Sequence, residues 1–400
     1  MLDHVTIEPS RICAHGPMAA LELACPLPGA LRLRFSPGSR ESNLRHPALP
    51  EKSSYAVVKD GRLPLTAARE GHQLRVEAEG VQLHLDLRSL GFTLHGASGE
   101  VMEGLGAGTD MRPGYPVPRY RSTLDLRARP GEAFLGFGEK VGPLDKRGLR
   151  FTFWNNDVVP HHPDTDPLYA SIPFFVSLLD GKAVGALLDE PWRSEVDVCL
   201  ADPDCVRWES AGPELDLYLF CGPGLPAVLE RYTALTGRAP LPPLWSLGAH
   251  QSRYGYESSQ DVRDVVAAYR ANGLPLDVVH LDIDYMEGFE VFSWERSRYP
   301  EPAALVRQVA QDGVRLVTIV DPGVRVRDGY RVYDDGKARG VFVRQDRGDV
   351  LVGAVWPERA VFPDLTRPEV QGWWAGWHKE FLEAGIADIW NDMNEPSCFE

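Results

Sequence analysis

In the first half of the chain, short segments in which apolar and polar residues alternate recur between turn residues. The run Leu31-Arg32-Leu33-Arg34-Phe35 and residues 73–78 and 81–87 show it most clearly. Side chains along a strand point to opposite faces in turn, so a period of two predicts half-buried antiparallel strands. Residues 183–188 and 215–220 continue the pattern, and helical spacing is scarce before residues 225–235. Residues 1–238 are therefore expected to form an antiparallel β-sandwich domain.

The texture then changes. Arg238-Ala239-Pro240-Leu241-Pro242-Pro243 places three prolines in four residues, which resists both helix and central strand and marks a linker. Beyond it, four short apolar runs (244–250, 278–283, 315–320 and 387–390) read as buried strands, with helical stretches between them. Ser258-Ser259-Gln260-Asp261 has capping-box spacing and opens a helix that Asn272-Gly273 stops. Thr366-Arg367-Pro368-Glu369 predicts a second box, with a helix through Glu383. Strands alternating with helices predict an α/β domain over residues 239–400, and a (β/α)8 TIM barrel leads the candidates. About four βα units fit into these residues, whereas a closed barrel of this kind needs eight strands. The expectation is the first part of a catalytic barrel, truncated at the C-terminus, from a longer polypeptide.

In such barrels the chemistry sits at the carboxyl ends of the strands. The four runs end in His250-Gln251, Asp282-Ile283-Asp284-Tyr285-Met286, Asp321-Pro322 and Asn391-Asp392-Met393-Asn394-Glu395-Pro396. Asp, Asn and Pro often do no more than terminate strands. Four polar endings in succession, three of them with carboxylates, favour a carboxylate-rich pocket instead. Carboxylates beside tryptophans suit glycoside cleavage: one attacks the anomeric carbon, another protonates the leaving oxygen, and aromatic faces pack on the ring. Trp154, Trp356 and Trp390 each lie close to a candidate polar group, whereas Trp373, Trp374 and Trp377 have the spacing of a helix core face.

Composition narrows the partners. Forty-two basic against fifty-seven acidic residues give a net charge of −15, which repels nucleic acid and anionic membranes but not a neutral sugar. The first ten residues lack a basic and apolar leader, and no apolar run is long enough to span a membrane. Six irregularly spaced cysteines without a Cys-x-x-Cys read as thiols in a reducing compartment, so a cytoplasmic location is expected. His161-His162-Pro163-Asp164-Thr165-Asp166 reads as a rim loop rather than a metal site, because adjacent residues seldom ligate one ion. No metal and no cofactor is expected.

The segment Trp390-Asn391-Asp392-Met393-Asn394-Glu395-Pro396 closely resembles the nucleophile signature of glycoside hydrolase family 31, the retaining α-glucosidases and their relatives. Further stretches resemble the family in its own order over residues 130–400. They are Leu135-Gly136-Phe137-Gly138-Glu139, Trp154-Asn155-Asn156-Asp157, residues 248–256, Asp282-Ile283-Asp284-Tyr285-Met286, Val355-Trp356-Pro357 and Phe362-Pro363-Asp364. The resemblance implies a galactose-mutarotase-like sandwich ahead of the barrel. It implies Asp392 as nucleophile, Glu395 as an orienting neighbour, and Asp282 and Asp157 as ligands of sugar hydroxyls. Ile283, Val324, Trp356, Trp390 and Met393 would line the subsite. Asp284 is set aside and given no role. The family's general acid/base lies downstream of the nucleophile, so it is expected beyond residue 400. The implied activity is an exo-acting, retaining α-glucosidase on neutral oligosaccharides, with a homo-oligomer left open. An α-xylosidase or transglucosidase is the nearest alternative. A carbohydrate-binding protein without turnover remains if the chain is complete at 400.

Overall fold

The computed structural model describes residues 2–17, 19–37, 49, 54–59, 61–112 and 119–399. The chain divides into two compact units, Met1–Ala239 and Pro240–Glu400, and the division falls within the proline-rich stretch 238–243.

The first unit is built from two antiparallel sheets. The described strands of one run from His4–Glu8 at one edge, through Ala30–Pro37, Leu215–Gly222 and Lys182–Leu188, to Ala133–Gly136 at the other. The second sheet has Leu149–Phe153 at one edge and Leu65–Glu70 at the other. Alternation in the sequence becomes alternation in burial: Leu74 and Val76 enter the core while Arg75 and Glu77 stay exposed. Leu31, Leu33, Leu217 and Leu219 join the same core from the first sheet.

That first sheet is buried on both faces, which its sequence only half announces. The helix Leu225–Thr236 lays Val228 and Leu235 over Phe174, Tyr218 and Phe220 on the side away from the main core. Arg32, a polar residue in the alternation, is consequently buried. Its guanidinium forks onto the Asp216 carboxylate at 2.8 and 2.7 Å, so the desolvated charge is matched in a bidentate geometry.

Gly136-Phe137-Gly138 turns out to be a packing device. All three residues take positive φ (101°, 67° and 72°), which is costly for phenylalanine but drives its ring fully into the core. There it stacks on Phe175, with centroids 5.0 Å apart and planes within 6°, and lies beside Trp208. A Cβ on Gly138 would lie 2.6 Å from the Cβ of Ile172, so only glycine allows the approach.

In the second unit four strands, His250–Arg253, Val278–Leu281, Arg315–Val320 and Asp388–Asn391, pair in that order as a parallel sheet. This is an antiparallel sandwich followed by a partial TIM barrel. Helix Ser259–Ala271 starts at Ser258 with the predicted box. The Ser258 side chain accepts from the Asp261 N–H, and the Asp261 carboxylate accepts from the Ser258 N–H at 2.7 Å. Asn272 caps the other end, and Gly273 follows at φ 65°.

Two expectations need correction. The run 244–250 is not a strand: Leu244–Leu247 forms a 3-10 turn behind Pro243, and pairing begins only where His250 meets Val278. His250 and Gln251 therefore open the first strand rather than close it. Thr366 does not cap its helix either. Its hydroxyl turns to the Asp364 carboxylate, Arg367 takes the cap position, and the helix runs Pro368–Trp377 before a second one, Lys379–Glu383. Between the third and fourth parallel strands lies a small antiparallel sheet (Val324–Arg325, Glu358–Val361, Val352–Val355) that the periodicity had not signalled.

Replacing Ser258 by alanine removes half of the reciprocal cap. It should lower stability by about 1 kcal/mol, read as a reduced urea midpoint with an unchanged slope. An unchanged midpoint would show that water replaces the cap without loss.

Candidate active site at the strand ends

The parallel register decides which carboxylates share a face. Val278 and His280 lie level with Arg315 and Val317, and Val317 and Ile319 with Asp388 and Trp390. Side chains alternate along each strand, so two further steps put Asp282, Asp321 and Asp392 on this same face, just past the last paired residues. The opposite face carries Val279, Leu281, Leu316 and Val320 into the hydrophobic core of the unit.

The three carboxyl groups sit in unequal surroundings. Asp392 is exposed. Asp282 is half-buried at the start of the 3-10 turn Ile283–Tyr285, where its own carboxylate accepts from the Ile283 N–H at 2.8 Å. Burial pushes its pKa up, the Ile283 N–H draws it down, and the negative charges of Asp392 and Asp284 push it up further. Asp321 is 7% exposed, and its Oδ1 has no hydrogen-bond partner among the described residues. Burial, reinforced by Asp392 and Asp282, raises it to about 7. Three anions facing one mouth resist simultaneous ionisation, and the most deeply buried one holds its proton longest. Sequence reasoning saw Asp321 end its strand but assigned it no role. The available signal was a run of four apolar residues and one threonine leading directly into a carboxylate.

Around them the aromatic groups separate. Trp356, on the turn after Val352–Val355, is exposed and lies 6.2 Å from the Tyr254 ring and 5.1 Å from that of Phe399. Trp390 is half-buried and edge-on to His280, whose Nε2 is 2.9 Å from His250 Nδ1. Burial and the neighbouring His250 lower the pKa of His280. Met393 takes φ 56° and is buried with Val355, Ala360 and Phe362. Ile283 and Val324 are wholly inside the core of the unit. Glu395 is half-buried two residues further on. Trp373, Trp374 and Trp377 pack against the same core.

Asp284 has the parity of Asp282, but the chain leaves strand geometry at Asp282, so strand alternation does not place it. Asp284 sits on the 3-10 turn, and its carboxylate occupies the space that a Cβ on Gly255 would need. Asp157 belongs to the other unit, exposed on the segment that follows the strand Leu149–Phe153. Among the described residues no group of three or more His, Cys, Asp or Glu side chains could hold a metal ion. No described helix is long and apolar enough to cross a membrane.

A β-sandwich preceding a β/α sheet whose strand ends gather carboxylates near tryptophans is the build of a carbohydrate-active barrel protein. Residues 239–400 match the sequence model of the glycosyl hydrolases family 31 TIM-barrel domain. Residues 20–197 match that of the glycosyl hydrolase 31 N-terminal galactose mutarotase-like domain. Together these two domains of one family account for most of the chain, which belongs to glycosyl hydrolase family 31.

An "Alpha-glucosidase 2" of Bacillus thermoamyloliquefaciens is 47% identical over 268 residues, 66% of this chain and 34% of that protein. An "Alpha-glucosidase" of Saccharolobus solfataricus is 38% identical over 277 residues, 69% of this chain and 39% of that one. The chain thus spans little more than a third of the length of these curated relatives. A Flavobacterium johnsoniae GH31 dextranase complexed with glucose shares the fold at TM-score 0.86 and 22% identity, over 99% of this chain and 48% of its own. A GH31 alpha-xylosidase from a soil metagenome does so at 0.83 and 18%, over 100% and 58%.

The raised pKa of Asp321 has a consequence for stability. Folded chains bind more protons at Asp321 than unfolded ones between its ordinary 3.8 and about 7. The protonated group therefore stabilises fully at low pH, and this contribution fades as pH rises through that window. Asp321→Asn, which imitates the neutral acid, should show a flatter stability–pH curve across this window, measured by urea unfolding. Parallel curves for the two proteins would refute the assignment.

Proposed function

We propose that this chain carries the nucleophile half of a retaining, exo-acting α-glucosidase active site. The observation that carries the proposal is the convergence of Asp282, Asp321 and Asp392 on one strand-end face, with Asp392 the most exposed and so the one open to substrate. Asp392 attacks C1 of a terminal glucosyl residue. The C1–O bond breaks, the leaving oxygen takes a proton from an acid downstream of residue 400, and a glycosyl ester of Asp392 remains. Water then cleaves that ester, and two inversions leave the α configuration unchanged.

Asp282 and Asp157 hold sugar hydroxyls. Trp356, Trp390 and Met393 line the subsite, Ile283 and Val324 belong to the packed layer that carries it, and Glu395 orients the nucleophile loop. The substrate is a neutral oligosaccharide. Glucose rather than xylose is supported by the names of the relatives at 47% and 38% identity. The free thiols of Cys13, Cys25, Cys199, Cys205 and Cys221, all buried, support a reducing, cytoplasmic setting.

Asp392→Ala should lose several powers of ten in kcat, because the nucleophile acts in the transition state. Azide should restore part of that turnover on an activated aryl α-glucoside by filling the vacated space. Asp282→Ala removes a charge-assisted hydrogen bond of about 1.5–3 kcal/mol, so both KM and kcat should suffer, without azide rescue. Proton NMR of the first sugar released should show α-glucose. The β anomer appearing first, or rescue of Asp282→Ala alone, would overturn the mechanism or reverse the two roles.

A further inference from the structure

Among the described strands, Leu149–Phe153 is an edge of its sheet, paired on one side only, with Thr152 opposite Glu195. On the open side the two polar groups of Thr152 meet side chains instead of a strand. Its N–H donates to the Asp166 carboxylate, and its carbonyl accepts from the Lys140 ammonium. Lys140 and Asp166 then close on each other, with Nζ 2.7 Å from Oδ1. The ion pair stands in for the missing neighbour strand at a single rung.

Its placement along the chain gives it a second consequence. The chain leaves the sheet after Phe153 and returns at Asp166 to the same rung, so the pair closes the base of a loop over residues 154–165. That loop carries Trp154 and Asp157. Further ties lie close by: Asn156 N–H donates to the Leu168 carbonyl at 3.1 Å, and Ala170 N–H to the Glu139 carboxylate at 2.8 Å. The Tyr169 hydroxyl reaches the Val158 carbonyl at 3.2 Å and His161 at 2.8 Å.

The Lys140 side chain is 2% exposed, lying over the rings of Phe153 and Phe151 at 4.8 and 5.8 Å. An ammonium buried so deeply needs its counter-ion, so Lys140 and Asp166 hold each other in one geometry. Lys146, also buried, donates to the Val141 carbonyl at 3.0 Å and fixes the segment from which Lys140 projects.

We propose that Lys140 and Asp166 are positioning residues for Asp157: their ion pair, closed on the Thr152 backbone, sets the base of the 154–165 loop and through it the place of Asp157. This rests on the reading of Asp157 as a sugar-hydroxyl ligand. Closing a loop at its base restricts the arrangements its tip can sample, and a ligand displaced by a fraction of its reach binds less well.

The test uses the full-length gene product and an aryl α-glucoside, with Lys140→Met, Asp166→Asn and Asp157→Ala, alone and combined. Asp166→Asn keeps an acceptor for the Thr152 N–H and loses only the charge, so it serves if Lys140→Met folds poorly. Lys140→Met should raise KM roughly tenfold with a much smaller change in kcat, and should add nothing on an Asp157→Ala background. Amides of residues 154–165 should exchange with deuterium faster in either clamp variant. Unchanged loop exchange, unchanged KM beside a raised KM for Asp157→Ala, or the same penalty on both backgrounds would each overturn the proposal. If Asp157→Ala itself leaves KM untouched, the ligand role of Asp157 falls instead, and loop exchange alone decides the clamp.

Discussion

The parallel hydrogen-bond ladder of the second unit is the constraint from which its chemistry follows. A parallel ladder holds neighbouring strands at fixed register, and the pleat fixes the parity of every side chain on them. One residue of slip in Arg315–Val320 would turn Asp321 toward the hydrophobic core and put Val320 in its place at the strand ends. The core residues on the opposite face, Val279, Leu281, Leu316 and Val320, make that slip prohibitive. Burial of apolar surface on one side of the sheet thus determines where the acidic groups stand on the other.

Placing carboxylates together is unfavourable for folding and useful for catalysis. Burial and like charge raise Asp321 and Asp282, so part of the stability gained by the core is offset at the strand ends. The same crowding separates the groups by environment, leaving one aspartate exposed and another able to hold a proton near neutrality. In the sandwich unit, charge is handled in the opposite way. Arg32 with Asp216 and Lys140 with Asp166 are oppositely charged pairs in which each buried ion has its partner within hydrogen-bond distance.

Much of this was legible in the primary structure, because it depends on local rules. The period of two named the strand 73–78 to the residue, since it buries only one face. The Ser258 box was readable because a cap is satisfied within its own first turn. The Thr366 box was not, because Asp364 competes for the same hydroxyl and the spacing alone does not show the competitor. The run 244–250 misled for a related reason: its apolar residues have strand composition, but no neighbouring strand lies level with them to pair with.

The sequence by itself determined the two-part organisation, the strand-end aspartates and the motif that marks Asp392, because residue identity and spacing along the chain carry that information. Tertiary structure alone decided which aspartates differ in burial, that Asp284 lies against Gly255 on a turn, and that Lys140 meets Asp166 across 26 positions. Those outcomes depend on desolvation and on contacts between distant segments, and neither is encoded in the pattern of any one stretch of chain.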